Sequence, residues 1–150
     1  MSAAPVAHLN FAGEARDALT FYAAAFGGRS VIRTYGDVGM PAEAPGADRV
    51  VFGQVVAESG FTVMAYDVPG SGTLAPAGTT RRQQGATLTD QRFFLALQGA
   101  DLAEAARYWD ALADGALVVE ALAASAWSPG FGMLTDRFGV TWVISVRDES

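Results

Sequence analysis

The sequence has no cysteine, only one histidine, and 10 Lys and Arg against 16 Asp and Glu. The lack of thiols removes disulfides, thiolate metal sites and cysteine nucleophiles together. A net charge of −6 leaves no basic surface for a phosphate backbone, which argues against nucleic acid as a partner. Long hydrophobic runs are missing too: no stretch could span a bilayer, and Met1-Ser2-Ala3-Ala4-Pro5 lacks the basic region and apolar run of a signal peptide. The expectation is a soluble cytoplasmic protein with no membrane partner. Reaction motifs are equally scarce. There is no G-x-S-x-G elbow, no H-E-x-x-H, no Walker loop and no G-x-G-x-x-G after a strand. No catalytic residue is assigned.

What the chain does have is apolar patterning: 51% of its 150 residues are hydrophobic, enough for one domain or two small halves sharing a core. The segment 131–146, FGMLTDRFGVTWVISV, predicts a β-hairpin turning at Asp136-Arg137-Phe138-Gly139. An earlier stretch repeats its phrasing. Phe52-Gly53, six residues, Gly60, one residue and Thr62 matches Phe131-Gly132, six residues, Gly139, one residue and Thr141. In order, the pattern predicts a strand over 6–11 and a helix whose apolar stripe is Ala15, Ala18, Leu19, Tyr22 and Phe26. A strand over 30–35, a loop over 36–48 and a hairpin around Glu58-Ser59-Gly60 follow. Pro69, Gly70, Gly72, Pro76, Gly78 and Gly85 mark 68–91 as a long loop, a kind usually functional, disordered or used in assembly. Beyond it come a strand over 93–97, a capping box at Asp101 and Glu104, and a helix with the stripe Leu102, Ala105, Ala106, Trp109 and Leu112. A strand over 116–122 leads on to the 131–146 hairpin.

The first half overlays the second at an offset of 87 through the helix and at 79 through the hairpin, which pairs Gly28 with Gly115 and Gly60 with Gly139. Two β-α-β-β-β modules are written in tandem. The resulting fold class is α+β: two βαβββ modules forming a curved mixed sheet, with a concave cavity and helices on the outer face. The boundaries are about 5–67 for module one, 68–91 for the loop and 92–147 for module two, within a single domain 1–150.

HLNFAGEARDALTFYAAAFGG, TYGD, MPAEAPGADRV and FGMLTDRFGVTW resemble the PhnB-like branch of the vicinal oxygen chelate superfamily. That superfamily includes glyoxalase I, bleomycin resistance proteins and extradiol dioxygenases. The branch is often labelled as resembling 3-demethylubiquinone-9 3-methyltransferase, but this chain lacks the alternating units and Gly-rich first turn of a Rossmann-like methyltransferase. The resemblance implies a glyoxalase-type fold and a homodimer, with the long loop and Trp127 as candidate contacts. In metal-using members the ligands lie on the first and last strand of each module. The matching positions are His8, Met64, Leu95 (or Phe94) and Val143, and among these only His8 is a ligand for a divalent first-row ion. The expectation is no metal and no cofactor.

Strand alternation puts His8, Asn10, Phe52, Gln54, Thr62, Met64, Tyr66, Leu95, Phe131, Met133, Thr141 and Val143 on the concave side. His8, Asn10, Phe52, Gln54, Met64, Tyr66, Phe131 and Met133 are the candidate ligand-binding residues, a mostly apolar set with a few donors and acceptors, suited to a small, partly aromatic molecule. Two other readings fit the same residues: a metal-dependent lyase, isomerase or dioxygenase, and a dimeric interaction module. Asp101 with Glu104, and Glu14 with Asp17, read as helix-start carboxylates. Arg81-Arg82 reads as an anion clamp, a subunit contact or solvated loop charge.

Overall fold

In the computed structural model, residues 3–70, 72–76, 78–126 and 128–148 are described, and the chain divides into a first unit, Met1–Ala75, and a second, Pro76–Ser150. The first unit contains strand β1 (Ala7–Phe11), helix α1 (Ala15–Ala25), β2 (Arg29–Thr34), β3 (Val50–Val56) and β4 (Thr62–Asp67). A single 3-10 turn, Gly36–Val38, interrupts the connection from β2 to β3. Its sheet runs β1-β4-β3-β2, parallel between β1 and β4 and antiparallel elsewhere.

Helix α1 forms where its sequence stripe predicts. Ala15, Ala18, Leu19, Tyr22 and Phe26 are all buried, and the helix packs on β2, β3 and β4. Leu9, Phe11, Val55, Val63 and Ala65 meet it from the sheet. Each large side chain here contributes roughly 1.5–3 kcal/mol through burial. Gly53 lets the helix approach: a Cβ there would run into the Leu19 side chain and lie 2.7 Å from the Ala65 carbonyl oxygen.

Cap chemistry differs between the two helices. Glu14 makes no side-chain cap on α1. Asp67, buried at the end of β4, accepts the N–H groups of Gly13 (2.7 Å), Ala15 (3.1 Å) and Val50 (3.0 Å) instead. A carboxylate from 52 residues away thus satisfies the helix start, which local spacing does not reveal.

The second unit contains β5 (Thr80–Gln83), β6 (Ala86–Thr89), β7 (Leu95–Gly99), α2 (Leu102–Ala113), β8 (Leu117–Ser125), β9 (Ser128–Thr135) and β10 (Thr141–Val146). Its main sheet runs β7-β10-β9-β8 with the same pattern of parallel and antiparallel pairs as the first. The tandem α+β modules are present, and the echoed phrase has a structural meaning. Gly132, like Gly53, lies under its helix, where a Cβ would stand 2.7 Å from the Trp109 ring. Gly60 and Gly139 take positive φ (106° and 84°) in matching turns.

Several details differ from the sequence expectation. The strand placed at 93–97 is β7 at Leu95–Gly99, with Phe93 69% exposed and Gly99 packed against Ala105 of the helix. The α2 stripe is Ala105, Tyr108 and Leu112, repeating the spacing of Leu19, Tyr22 and Phe26, while Leu102 is exposed and Trp109 half-buried. The Asp101–Glu104 capping box forms: Asp101 accepts the Glu104 N–H (2.8 Å), and Glu104 accepts the Ala100 N–H (3.0 Å). The expected loop over 68–91 contains the β5–β6 hairpin, whose short alternating strands were masked by the surrounding Gly and Pro residues. Trp127, the candidate dimer contact, lies outside the described residues.

Candidate functional site

Each sheet has a face turned away from its helix. In the first unit, residues alternate cleanly: Leu9, Gly53, Val55, Val63 and Ala65 face α1, so His8, Asn10, Phe52, Gln54, Thr62, Met64 and Tyr66 occupy the opposite face. Register ties them into rows. His8 pairs with Met64, Met64 with Gln54, and Gln54 with Val31, while Asn10 pairs with Tyr66 and Phe52 with Arg33.

This face is open. Phe52 is 38% exposed and Val31 49%, His8 and Asn10 are exposed, and Gln54, Met64 and Tyr66 are half-buried. His8 Nδ1 stands 3.1 Å from Asn10 Oδ1, within hydrogen-bond distance of the amide oxygen. The His8 ring meets Tyr66 edge-on at 5.3 Å between centroids. At the rim, the Tyr35 hydroxyl donates to the Asp67 carbonyl oxygen (2.7 Å). Burial, then Tyr66 and Asp67, push the Tyr35 phenol above its ordinary pKa, so it stays a neutral donor. The assembly offers an apolar and aromatic strip with polar atoms at one end.

The equivalent face of the second unit is covered. Phe131 and Met133 lie on it, but the β5–β6 hairpin closes over them. The Arg82 guanidinium sits 4.9 Å from the centre of the Phe131 ring, donates to Thr87 Oγ1 (2.9 Å) and lies 3.9 Å from Glu120. Thr87 Oγ1 reaches Met133 Sδ at 3.6 Å, and Met133 is fully buried. Gln91 Nε2 donates to Thr80 Oγ1 and Thr141 Oγ1, and Thr141 is hydrogen-bonded to Thr135. Arg82 is therefore packing for this hairpin, neither a free anion clamp nor solvated loop charge.

One further assignment is corrected. Leu95 pairs with Trp142 and faces the helix, so the residue on the face turned away from the helix is its neighbour Ala96, opposite Val143. The positions matching metal ligands are then His8, Met64, Ala96 and Val143. They offer one imidazole and one thioether, a donor set that does not fit a divalent first-row ion. Among the described residues, no group of three or more His, Asp or Glu side chains is close enough to hold a metal. Asp67 and Asp136, the buried carboxylates, serve backbone and indole N–H groups; Asp136 takes those of Phe138, Val140 and Trp142.

Two mixed sheets of order 1-4-3-2, each backed by one helix, define the class: an α+β fold of two tandem βαβββ modules. No family model matches the chain. Protein YjdN of Escherichia coli K12 is 27% identical across 93% of this chain and 92% of its own length. The crystal structure of protein PA1353 from Pseudomonas aeruginosa is 29% identical with a TM-score of 0.77, covering 97% of this chain and 98% of that one. The PhnB protein of Bacillus cereus follows at 21% identity and TM-score 0.67, over 97% and 100% of the two chains. A Frankia domain named for glyoxylase, bleomycin resistance protein and dioxygenase shares the fold at 10% identity and TM-score 0.64, over 99% of each chain. The chain shares its fold with these proteins over nearly its whole length. No helix among the described residues is long and apolar enough to cross a membrane.

Proposed function

We propose that the open face of the first sheet binds a small, partly aromatic molecule without the help of a metal, in a protein that works as a homodimer. The observation that carries this reading is the strip of exposed Phe52 and half-buried Met64 and Tyr66 beside the polar pair His8 and Asn10. Aromatic rings and a flexible thioether accommodate an irregular flat ligand, and the imidazole and amide fix its orientation. The relatives support the fold of this reading; the ligand follows from the residues alone. A single imidazole cannot hold a first-row ion against water, which is why binding, rather than metal-assisted chemistry, is the function assigned.

The test is a thermal-shift screen of small aromatic compounds on the wild-type chain, followed by titration of hits into Tyr66→Ala and Phe52→Ala. Hits whose affinity falls at least about tenfold in either variant support the site. Equal binding by both variants and wild type moves the ligand elsewhere. Elemental analysis bears on the metal-free part, since stoichiometric zinc, nickel, iron or manganese in purified protein would overturn it. Sizing at micromolar concentration tests the dimer.

A further inference from the structure

The ligand class at this face can be narrowed, on the footing of the binding reading just given. Strand β2 is the outer strand of the first sheet, and its pairing places Arg29 opposite Val56, Val31 opposite Gln54 and Arg33 opposite Phe52. Arg29 and Arg33 therefore share the open face with the aromatic strip. Both side chains are exposed, and among the described residues neither makes an ion pair or a side-chain hydrogen bond.

The charge on this face runs against that of the chain. The protein carries 16 acidic residues and a net charge of −6, yet the face formed by β1 to β4 presents His8, Asn10, Phe52, Gln54, Met64 and Tyr66 with two arginines and no carboxylate. The acid near Arg33 is Asp37, and its carboxylate is occupied by the backbone N–H of Thr34 at 2.8 Å. Charged side chains on an edge strand also discourage pairing with other chains. That role needs no particular face and no particular sign; the corresponding edge strand β8 carries Glu120 as its single charged residue. Two unpaired arginines aligned with aromatic side chains on one face are a more specific arrangement.

We propose that this face takes a small aromatic anion, with the ring against Phe52 and Tyr66 and a carboxylate on Arg33. Arg33 is the cross-strand neighbour of Phe52, so a ring lying on Phe52 brings a substituent within reach of that guanidinium. The planar fork of Arg matches a carboxylate through two parallel N–H···O bonds. Arg29, about 13 Å further along the strand, adds attraction but no direct contact.

A matched pair of probes tests this: 2-naphthoate and its neutral counterpart 2-naphthamide, titrated calorimetrically into the full chain at low salt. The expected result is binding of naphthoate about tenfold or more tighter than naphthamide, an advantage that shrinks as salt is raised. Arg33→Gln should erase most of that advantage and Arg29→Gln a smaller part, with the melting temperature of each variant confirming that it folds. Arg81→Gln, an exposed arginine in the second unit, should leave it unchanged. Equal binding of the two probes, or a preference that survives Arg33→Gln, overturns the anion proposal while leaving the binding site itself standing. If neither probe binds at millimolar concentration, both readings fall.

Discussion

The two sheets share one strand order and treat their helix-distal faces in opposite ways. Phe52 and Phe131 occupy equivalent strand positions, each preceding the glycine that lets its helix approach. Phe52 is left exposed, whereas Phe131 lies beneath the Arg82 guanidinium. Two residues on, the first sheet has Gln54, half-buried, and the second has Met133, fully buried under Thr87. Side-chain polarity follows the cover: an amide remains where water has access, and a thioether stands where a hairpin excludes it. The two modules thus share their helix side, while the other side is open in one and covered in the other.

The largest expected effect comes from removing the cover. Thr79 and Asp90 are already hydrogen-bonded across the hairpin base, at 2.7 Å through the Asp90 carboxylate, so residues 80–89 can be replaced by Gly-Gly with little strain. The shortened protein should lose about 4 kcal/mol in urea unfolding and bind an apolar dye, because Met133 and Phe131 become exposed. Unchanged stability would show that the hairpin is ornamental and that the two faces do not differ in kind.

Matched truncations sharpen the contrast. Met133→Ala should cost about 3 kcal/mol, within the usual span for a buried methionine, and Gln54→Ala less than about 0.5 kcal/mol. Similar losses at the two positions would erase the distinction. Arg82→Ala should cost about 1 kcal/mol, from the lost ring contact and hydrogen bond, and should make the hairpin more sensitive to limited proteolysis. Buried Arg82 Nε has no hydrogen-bond partner, which limits what its removal can cost.

The smallest effect lies at the margin of the open face. The Thr34 backbone N–H, then its hydroxyl, hold the Asp37 carboxyl below its ordinary 3.8, with Arg33 and Arg16 adding a lesser pull. A depressed carboxyl stabilises the folded state fully above 3.8 and loses that contribution as pH falls through its lowered value. Asp37→Asn should therefore lower the melting temperature slightly at neutral pH and flatten the acid limb, so that the variant and the wild type converge as pH falls. An acid limb identical to that of the wild type would remove Asp37 from this account.

Much of this architecture is legible in linear order because its causes are local. The stripe from Ala15 to Phe26, the echo of Phe52-Gly53 in Phe131-Gly132, and the Asp101–Glu104 box all act within a helix turn or a hairpin. Alternation likewise assigned the open face of the first sheet correctly, since β1, β3 and β4 pair without a slip over His8, Gln54 and Met64. Where the start of β7 lay among Phe93, Phe94 and Leu95, a consecutive apolar run gave no parity, and Leu95 fell on the wrong side.

The sequence by itself determined the doubled module, the helix-facing core and the residue types on each strand face, because periodicity and glycine placement encode them directly. Only the tertiary structure decided which face stays open. That depends on where residues 80–89 come to rest, just as the start of α1 depends on a carboxylate, Asp67, 52 residues away. Such contacts are chosen by the free energy of packing distant segments together, which no spacing along the chain records.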